Sequence, residues 1–292
     1  MFADAVAQAQ KFTFPVLASS RHWNGDVKAG AAAFVVLNTD GWIATAAHIF
    51  QTGLQAERDA PEVAALQAKI AAVRADATLR PGFADREVKK LHGTANREWI
   101  TRHSYWWARD GVTIRDISTL VDADLAIGRL DPVPSDMVAK CPTIKNPSVN
   151  MDAGRSLCRL GFPFSQPKVS YDETKDAFEL DANWSFFPLD GIFTRTVRTG
   201  ANTPGGTPIS YVETSSAGLR GQSGGPVFDV QGRIWGIQSK TIHIPLGFNP
   251  EIEVGGRKVT EHQFINLGWA VHSETLTAVL NELGVGHKLS TD

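Results

Sequence analysis

Residues 221 to 226 read Gly221-Gln222-Ser223-Gly224-Gly225-Pro226, a serine set among glycines and followed by a proline. Glycines adopt backbone angles that other residues avoid, and they let a substrate approach the chain closely. Such a turn can aim the backbone amides of Gly221 and Ser223 at one oxygen atom, as binding of an oxyanion requires. Serines in glycine-rich turns are also frequent in ordinary loops, so the stretch defines no function by itself.

Two upstream segments carry residue types that activate a serine hydroxyl. The first, Thr45-Ala46-Ala47-His48, follows the strand-like Trp42-Ile43-Ala44, which sets a histidine at a strand end beside small residues. In the second, Asp122 and Asp124 precede the apolar run 125–127. Taken singly, the histidine is typical of a core or surface position, and an aspartate before a strand is typical of a turn. Only the joint occurrence of the three segments, in the order His, Asp, Ser, indicates chemistry.

Together the segments resemble the motifs T-A-A-H, D-(I/L)-A and G-x-S-G-G-P of the trypsin/chymotrypsin-like serine peptidases. The match selects Asp124 over Asp122 as the functional acid. It implies a catalytic triad of His48, Asp124 and Ser223, with the amides of Gly221 and Ser223 as the oxyanion hole. The resemblance extends over three further stretches, residues 30–45, 159–163 and 235–239. The overall pattern is similar to that of the bacterial high-temperature-requirement protease domain.

This resemblance implies an all-β fold of two orthogonal six-stranded antiparallel β-barrels, with the triad in the cleft between them. The sequence agrees, because much of it consists of short apolar or alternating runs closed by Gly, Pro, Asn or Asp. We expect three parts: an N-terminal barrel over 1–132 that carries His48 and Asp124, a C-terminal barrel over 133–271 that carries Ser223, and a C-terminal helix and tail over 272–292.

Two segments show helical patterns. Asp59 and Pro61 look like an N-cap and a first-turn proline, and apolar residues then recur with helical spacing at Val63, Leu66, Ile70 and Val73. This predicts an amphipathic helix in an insert of about residues 52–100, between the histidine and the aspartate. Ser273 as N-cap and Gly284 as C-terminal stop predict the second helix.

The position of the insert, directly after the catalytic histidine, leaves two readings open. Either the insert lies at the rim of the cleft, where it would restrict or recruit substrate or bind a regulatory partner. Or it is a solvated decoration without such a role.

The resemblance also places the substrate-binding residues. Family members that cut after Lys or Arg carry an aspartate six residues before the nucleophile, where this chain has Ala217. With Gln238, Gly268 and Ala270, this residue gives the P1 pocket neutral walls, which favour a small or uncharged side chain. Arg220 near the mouth would instead favour an acidic one.

Two further positions follow from the family pattern. Ser239 matches the serine that hydrogen-bonds the triad aspartate, and Ser239-Lys240-Thr241 matches the edge segment that pairs with substrate backbone. Gln222 stands where secreted members have an aspartate that pairs with a new N-terminus, so we expect that activation switch to be absent.

Composition excludes several partners. The formal net charge is −2, with 29 basic and 31 acidic residues spread along the chain, so we expect no nucleic acid and no membrane partner, but a protein or peptide substrate. No signal peptide or apolar run of about 18 residues is visible, which favours a cytoplasmic protein. Cys141 and Cys158 have no metal-ligand spacing, so we expect no metal and no cofactor. They are either two free buried thiols or a bridge.

Two other readings remain. Residues 221–225 also satisfy G-x-S-x-G of the α/β-hydrolases, with Asp229 and one of three histidines downstream, but that serine must lead directly into a helix, and residues 226–228 look like a strand. The other reading is a catalytically inactive trypsin-like scaffold or binding module. Its mark would be a lost triad or oxyanion residue, and none is lost.

Overall fold

The computed structural model describes residues 1–291 and shows a mostly β chain in which six strands form the first sheet. They are β1 (Thr13–His22), β2 (Val27–Val36), β3 (Trp42–Thr45), β4 (Ile100–Trp107), β5 (Thr113–Leu120) and β6 (Leu125–Asp131). Their order is β4-β1-β2-β3-β6-β5, with neighbours antiparallel. Within the described chain β4 and β5 are edge strands, so this half is a curled sheet rather than a barrel closed by hydrogen bonds.

The second half is a closed barrel. The strands after β6 are β7 (Ser156–Arg159), β8 (Lys168–Asp172), β9 (Ala177–Asp181), β10 (Leu189–Asn202), β11 (Pro208–Thr214), β12 (Pro226–Phe228), β13 (Ile234–Pro245), β14 (Glu251–Val254), β15 (Arg257–Thr260) and β16 (Phe264–His272). The barrel order is β10-β11-β16-β13-β12-β7, while β8–β9 and β14–β15 form separate hairpins. Gly255 and Gly256 turn the second hairpin with φ of +60° and +75°, backbone angles that a Gly-Gly pair tolerates at both positions.

The barrel interior and the interface between the halves form separate cores. One buried residue from each of the six barrel strands fills the interior, namely Leu157, Phe193, Val212, Val227, Trp235 and Ala270. A larger cluster contains side chains of both halves, among them Val35 and Ile127 from the sheet and Leu160 and Tyr211 from the barrel. Burial of this apolar surface holds the two halves together, and the candidate site lies along their junction.

The insert is a helical hairpin of α2 (Gln51–Ala75) and α3 (Pro81–Thr94), which follow α1 (Ala3–Ala9) in the chain. The predicted helix exists, but it begins at Gln51, so the prediction of Asp59 as N-cap is wrong and Pro61 lies inside the helix. Asp59 is buried instead, and its carboxylate accepts a hydrogen bond from the amide of Ile100 at 2.9 Å.

Of the four apolar positions predicted on α2, Val63, Leu66 and Ile70 are buried and Val73 is partly buried. Leu66 and Ile70 pack against Val88 of α3, with Trp23 and Trp99 beside them. Neither α3 nor α1 follows from the sequence pattern described above. The hairpin therefore has its own small core and lies beside the edge strand β4 of the first sheet.

The C-terminal helix α4 spans Ser273–Glu282, and Gly284 follows it with φ of +65°, the left-handed stop that the sequence predicts. Its N-cap is His272 rather than Ser273, because the imidazole accepts the hydrogen bond from the amide of Glu274. The last residue of the predicted tail, Asp292, lies outside the described residues.

Both cysteines are free thiols, which excludes the bridge. Cys158 is buried as expected, but Cys141 is exposed. Over residues 1–291, no helix is both long and apolar enough to cross a membrane.

Candidate active site

His48 and Asp124 meet at one end of the first sheet. His48 lies on a short 3₁₀ helix directly after β3, and Asp124 follows a 3₁₀ turn directly before β6. Since β3 and β6 are paired, both side chains emerge at the same place. The imidazole Nδ1 lies 2.9 Å from Oδ2 and 3.0 Å from Oδ1 of the carboxylate. The backbone amide of His48 also donates to Oδ1, at 2.8 Å, which fixes the carboxylate from a second direction.

Asp124 is held firmly as an anion. Its φ of +56° is in the left-handed region, which is uncommon for a residue with a side chain. The hydroxyl of Ser239 donates to Oδ2 at 2.7 Å. Burial raises the pKa of this carboxyl, but hydrogen bonds from His48 and Ser239 outweigh burial and hold the pKa below its usual value. An ionised Asp124 keeps the proton of His48 on Nδ1 and leaves Nε2 as a base.

The loop that carries Ser223 is fixed between the two halves of the molecule. The carbonyl of Ser223 accepts a hydrogen bond from the amide of Ala33 on β2 at 2.8 Å. Gly224 has φ of +81°, and a Cβ there would overlap the carbonyl of Ala33. Gly221 has φ of +96°, and a Cβ there would lie 2.6 Å from the carbonyl oxygen of Phe162. Both glycines are therefore required by left-handed backbone and by close contacts.

Two amides in this loop are available to an oxyanion. The backbone N–H groups of Gly221 and Ser223 donate to no group within residues 1–291, whereas the amide between them, of Gln222, donates to the carbonyl of Leu219 at 3.0 Å. Unpaired amides flanking a bonded one are what the predicted oxyanion hole requires.

Gln222 has a structural role that the sequence analysis missed. Its side chain is fully buried, accepts from the amide of Leu219 at 3.0 Å and donates to the carbonyl of Phe187 at 3.2 Å. It therefore fixes the loop from inside. Its only signal in the sequence is its position beside the serine, because nothing local indicates which groups its amide would bond.

His48 and Ser223 line one cleft of about 890 Å³. Gly221, Arg220 and Thr52 line it as well. In the described residues, no hydrogen bond joins the hydroxyl of Ser223 to the imidazole of His48. The structure thus joins His48, Asp124 and Ser239 by direct hydrogen bonds, and brings Ser223 into the same cleft.

The other predicted substrate-binding residues lie around the mouth of the barrel instead. Thr241 pairs with Gly268 across β13 and β16, and its hydroxyl donates to the carbonyl of Gly218, next to Ala217, at 2.8 Å. Gln238 is buried beside them. The ammonium of Lys240 lies over the rings of Tyr211 and Trp269, 4.7 and 5.3 Å from their centroids.

From Ser239 onwards β13 has a free edge. It pairs with β16 on one side, while its pairing with β12 stops at Ile237, and no other strand of residues 1–291 covers that edge. A free strand edge can bind an extended peptide as an added strand.

The α/β-hydrolase reading is wrong. Ser223 leads into strand β12 rather than a helix. Asp229, the candidate acid of that reading, accepts hydrogen bonds from Arg233 at 2.7 Å and from Trp235 at 2.9 Å. Within residues 1–291, no three His, Cys, Asp or Glu side chains cluster in a way that could hold a metal ion.

Fold and sequence define the class of protein. The family model of the trypsin-like peptidase domain matches residues 31–237. This is well over half of the chain, so the chain belongs to the trypsin-like peptidase family. No curated protein matches the sequence.

Two solved structures are similar to this chain at 13% identity. The active form of the Rv3671c protease from M. tuberculosis has a TM-score of 0.47, and the match covers 98% of this chain and 87% of that one. A variant of the HtrA-type protease AlgW with a tripeptide has a TM-score of 0.48, with 97% of this chain and 63% of that one covered. This chain thus spans less than two thirds of the AlgW chain, and neither likeness bears on the chemistry of the site.

Proposed function

We propose that the protein is a serine endopeptidase in which Ser223, His48 and Asp124 form the catalytic triad. One observation carries the proposal: an ionised Asp124 bonds Nδ1 of His48, in the cleft that Ser223 shares, beside two unpaired amides. These are the parts that acyl transfer needs, namely a nucleophile, an oriented base and an oxyanion site.

The roles follow from the hydrogen bonds. His48 takes the proton of Ser223 as the hydroxyl attacks a peptide carbonyl, and Asp124 stabilises the imidazolium that forms. The amides of Gly221 and Ser223 bind the oxyanion. His48 then returns the proton to the leaving amine, and a water molecule hydrolyses the acyl-enzyme by the same route. Because Ser223 makes no hydrogen bond to His48 here, substrate must tighten that contact, as is common for catalytic groups without ligand.

The surroundings suit a peptide substrate. We expect the free edge at Ser239-Lys240-Thr241 to pair with the residues before the scissile bond as an added strand. On the wall residues alone, Ala217 and Gly268 favour a small or uncharged P1 side chain. Thr52, from the first turn of α2, gives the insert direct access to the cleft, which favours a role for the insert in substrate or regulator binding.

The test uses a fluorophosphonate probe, which reacts only with an activated serine. We expect the wild type to be labelled and to digest a denatured protein. Ser223→Ala should not be labelled, and its kcat should fall roughly 10⁶-fold. Ser148→Ala, at an exposed position outside the cleft, is the matched control and keeps both.

The alternative of an inactive trypsin-like scaffold has one observation in its favour, the missing hydrogen bond between Ser223 and His48. A folded wild type that neither reacts with the probe nor cleaves a denatured protein would establish that alternative and refute the peptidase.

A further inference from the structure

Arg159 is a charged side chain buried inside the second barrel. It is 1% exposed and is the largest of the fully buried side chains. On β7 it lies two residues after Leu157, whose side chain belongs to the barrel interior, so Arg159 lies on the same face of that strand. It is also the last residue of β7 and pairs with Val227, just after the nucleophile loop. The guanidinium is therefore inside the barrel at the end nearest Ser223.

The guanidinium has almost no compensation for its burial. Nη2 donates to the hydroxyl of Thr214, and Nη1 has no partner. No carboxylate of residues 1–291 forms an ion pair with it, and burial lowers its pKa to about 10 although the neighbouring Cys158 acts in the opposite direction. An unpaired buried cation is strongly unfavourable, so its presence calls for an anion that enters the site.

The guanidinium lies against the expected wall of the P1 pocket. A Cβ at Gly268 would overlap Nη1 and would lie 2.6 Å from Nη2, so only glycine leaves room for the guanidinium. The same Cβ would lie 2.6 Å from the carbonyl of Ser216, one residue before Ala217. Two more side-chain atoms around this segment are buried without a partner, Oγ of Ser216 and Oε1 of Gln238. Polar groups thus surround the pocket, and none of them is an acid.

The side chain of Gln238 packs against Gly218, where a Cβ would overlap its Nε2, but it is weakly held. Its Nε2 donates to the carbonyls of Lys240 at 3.3 Å and Trp269 at 3.4 Å, both close to the limit of a hydrogen bond. We therefore expect rotation of the Gln238 side chain to cost little and to open a path past Gly218 toward the guanidinium.

We propose that Arg159 is the residue that determines P1 specificity, and that its guanidinium binds the carboxylate of a glutamate or aspartate before the scissile bond. The inference rests on the proposed peptidase function and names its substrate class. Arg159 offers a planar fork to a carboxylate, and Nη1 still has both of its protons to donate. The neutral walls that favoured an uncharged side chain are then the lining of an anion pocket with a cation at its base.

The experiment compares fluorogenic peptides that differ only at P1, in the matched pairs Glu against Gln and Asp against Asn, with Ala and Lys as further residues. For the wild type we expect kcat/KM for Glu or Asp to exceed that of the matched amide by roughly 10- to 100-fold, as for one hydrogen-bonded charge pair. A ratio near one, or a preference for Ala or Lys, overturns the proposal.

Variants assign the preference to a residue. Arg159→Met is expected to bring the acid-to-amide ratio to about one while the fluorophosphonate still labels Ser223. Arg159→Lys keeps the positive charge but lacks the planar guanidinium, so an intermediate acid-to-amide ratio is expected. If Arg159→Met does not fold, the lysine variant still tests the proposal. An unchanged acid-to-amide ratio in Arg159→Lys would refute the role of Arg159. Arg220→Met removes the cation at the cleft rim, and loss of the ratio there would assign the preference to Arg220 instead.

The two proposals fail in different ways. Labelling and cleavage without acidic preference refute the role of Arg159 and leave the peptidase intact. Absence of both labelling and cleavage in the wild type refutes the peptidase, and with it the specificity.

Discussion

Asp124 is the residue on which the geometry of the site depends. Asp124 directly follows the 3₁₀ turn of residues 121–123, and its own backbone is left-handed. Two groups that donate hydrogen bonds to its carboxylate come from different halves of the molecule. The amide of His48 belongs to the sheet, and the hydroxyl of Ser239 belongs to the barrel. A carboxylate bonded from both sides keeps one orientation, which in turn keeps the imidazole in one tautomer and position.

Ser239 is therefore expected to act as a positioning residue. Ser239→Ala removes the 2.7 Å bond to Asp124, and a hydrogen bond to a charged group of this strength corresponds to a loss of roughly 10- to 100-fold in kcat. KM for a short peptide should change little. The pKa of Asp124 should rise toward its ordinary value, because one of the bonds that lowers it is gone.

Steady-state kinetics of Ser239→Ala and Ser239→Thr separate positioning from folding. The threonine keeps a hydroxyl and should recover most of kcat. Equal losses in both variants, or a change in KM alone, would contradict the assignment.

At the scale of elements, α4 shows a capping arrangement that makes stability depend on pH. His272 is buried at the end of β16, and its Nδ1 accepts from the amide of Glu274 at 3.0 Å, which requires an unprotonated nitrogen. Burial, with a smaller contribution from the positive charge of Arg198, lowers its pKa to about 4 from the ordinary 6.5. The cap and the desolvation therefore both favour the neutral imidazole.

The sign of the pH effect follows from proton uptake. Between pH 6.5 and about 4 the unfolded chain binds a proton at His272 and the folded chain does not. The contribution of neutral His272 to the free energy of unfolding is therefore fully present above pH 6.5 and is lost as the pH falls through this window. The difference is on the order of 3 kcal/mol. His272→Asn keeps a capping acceptor without titrating, so urea unfolding at pH 7.5 and pH 5 should show a smaller loss for the variant. An equal loss in both proteins would assign the effect to other groups.

The elements also show where sequence is informative. The strands around the motifs, the Gly255-Gly256 turn and the Gly284 stop follow from local rules, and the structure contains them. The start of α2 does not follow from local rules. Asp59 and Pro61 carry the signature of an N-terminus, but α2 continues directly from the turn of His48, and contacts far along the chain, such as Asp59 with Ile100, hold it there.

The site divides in the same way. The proposed triad was recognisable because its motifs are local, whereas the contacts of Gln222 and Arg159 arise from strands distant in sequence. Arg159 lies in residues 159–163, which match the family pattern, but the pattern assigns it no role. Its sequence neighbours do not indicate that Thr214 and Gly268 lie beside its guanidinium.

At the scale of the whole molecule, the site exists only where the halves touch. The amide of Ala33 donates to the carbonyl of Ser223, and the hydroxyl of Tyr211 donates to the carbonyl of Asp122 at 3.1 Å, two residues before Asp124. Spacing along the chain therefore carries no information on whether the three groups meet. Packing of the sheet on the barrel decides it, and the large shared core stabilises that packing.

The insert lies outside this shared core but reaches the cleft, which leads to a prediction for large substrates. Replacing residues 63–94 by a short Gly-Ser linker removes the far part of the α2–α3 hairpin and keeps Thr52 and Asp59 in place. Short peptides are expected to bind near the proposed triad and to be cleaved at an unchanged rate. A folded protein substrate extends beyond the cleft, so its kcat/KM should change by at least about tenfold, equivalent to ~1.4 kcal/mol in the barrier.

The deletion exposes Trp23 and Trp99, which pack against the hairpin, so fluorophosphonate labelling must first show that Ser223 of the shortened chain reacts as it does in the full-length chain. Thr52→Trp in the full chain is the complementary variant, because it fills the cleft without disturbing the hairpin core. It should slow cleavage of peptides with residues on both sides of the scissile bond. If the shortened and full-length chains cleave folded and short substrates with identical kinetics, the hairpin is a decoration. A structure that excludes or recruits substrate cannot be removed without changing which substrates reach Ser223.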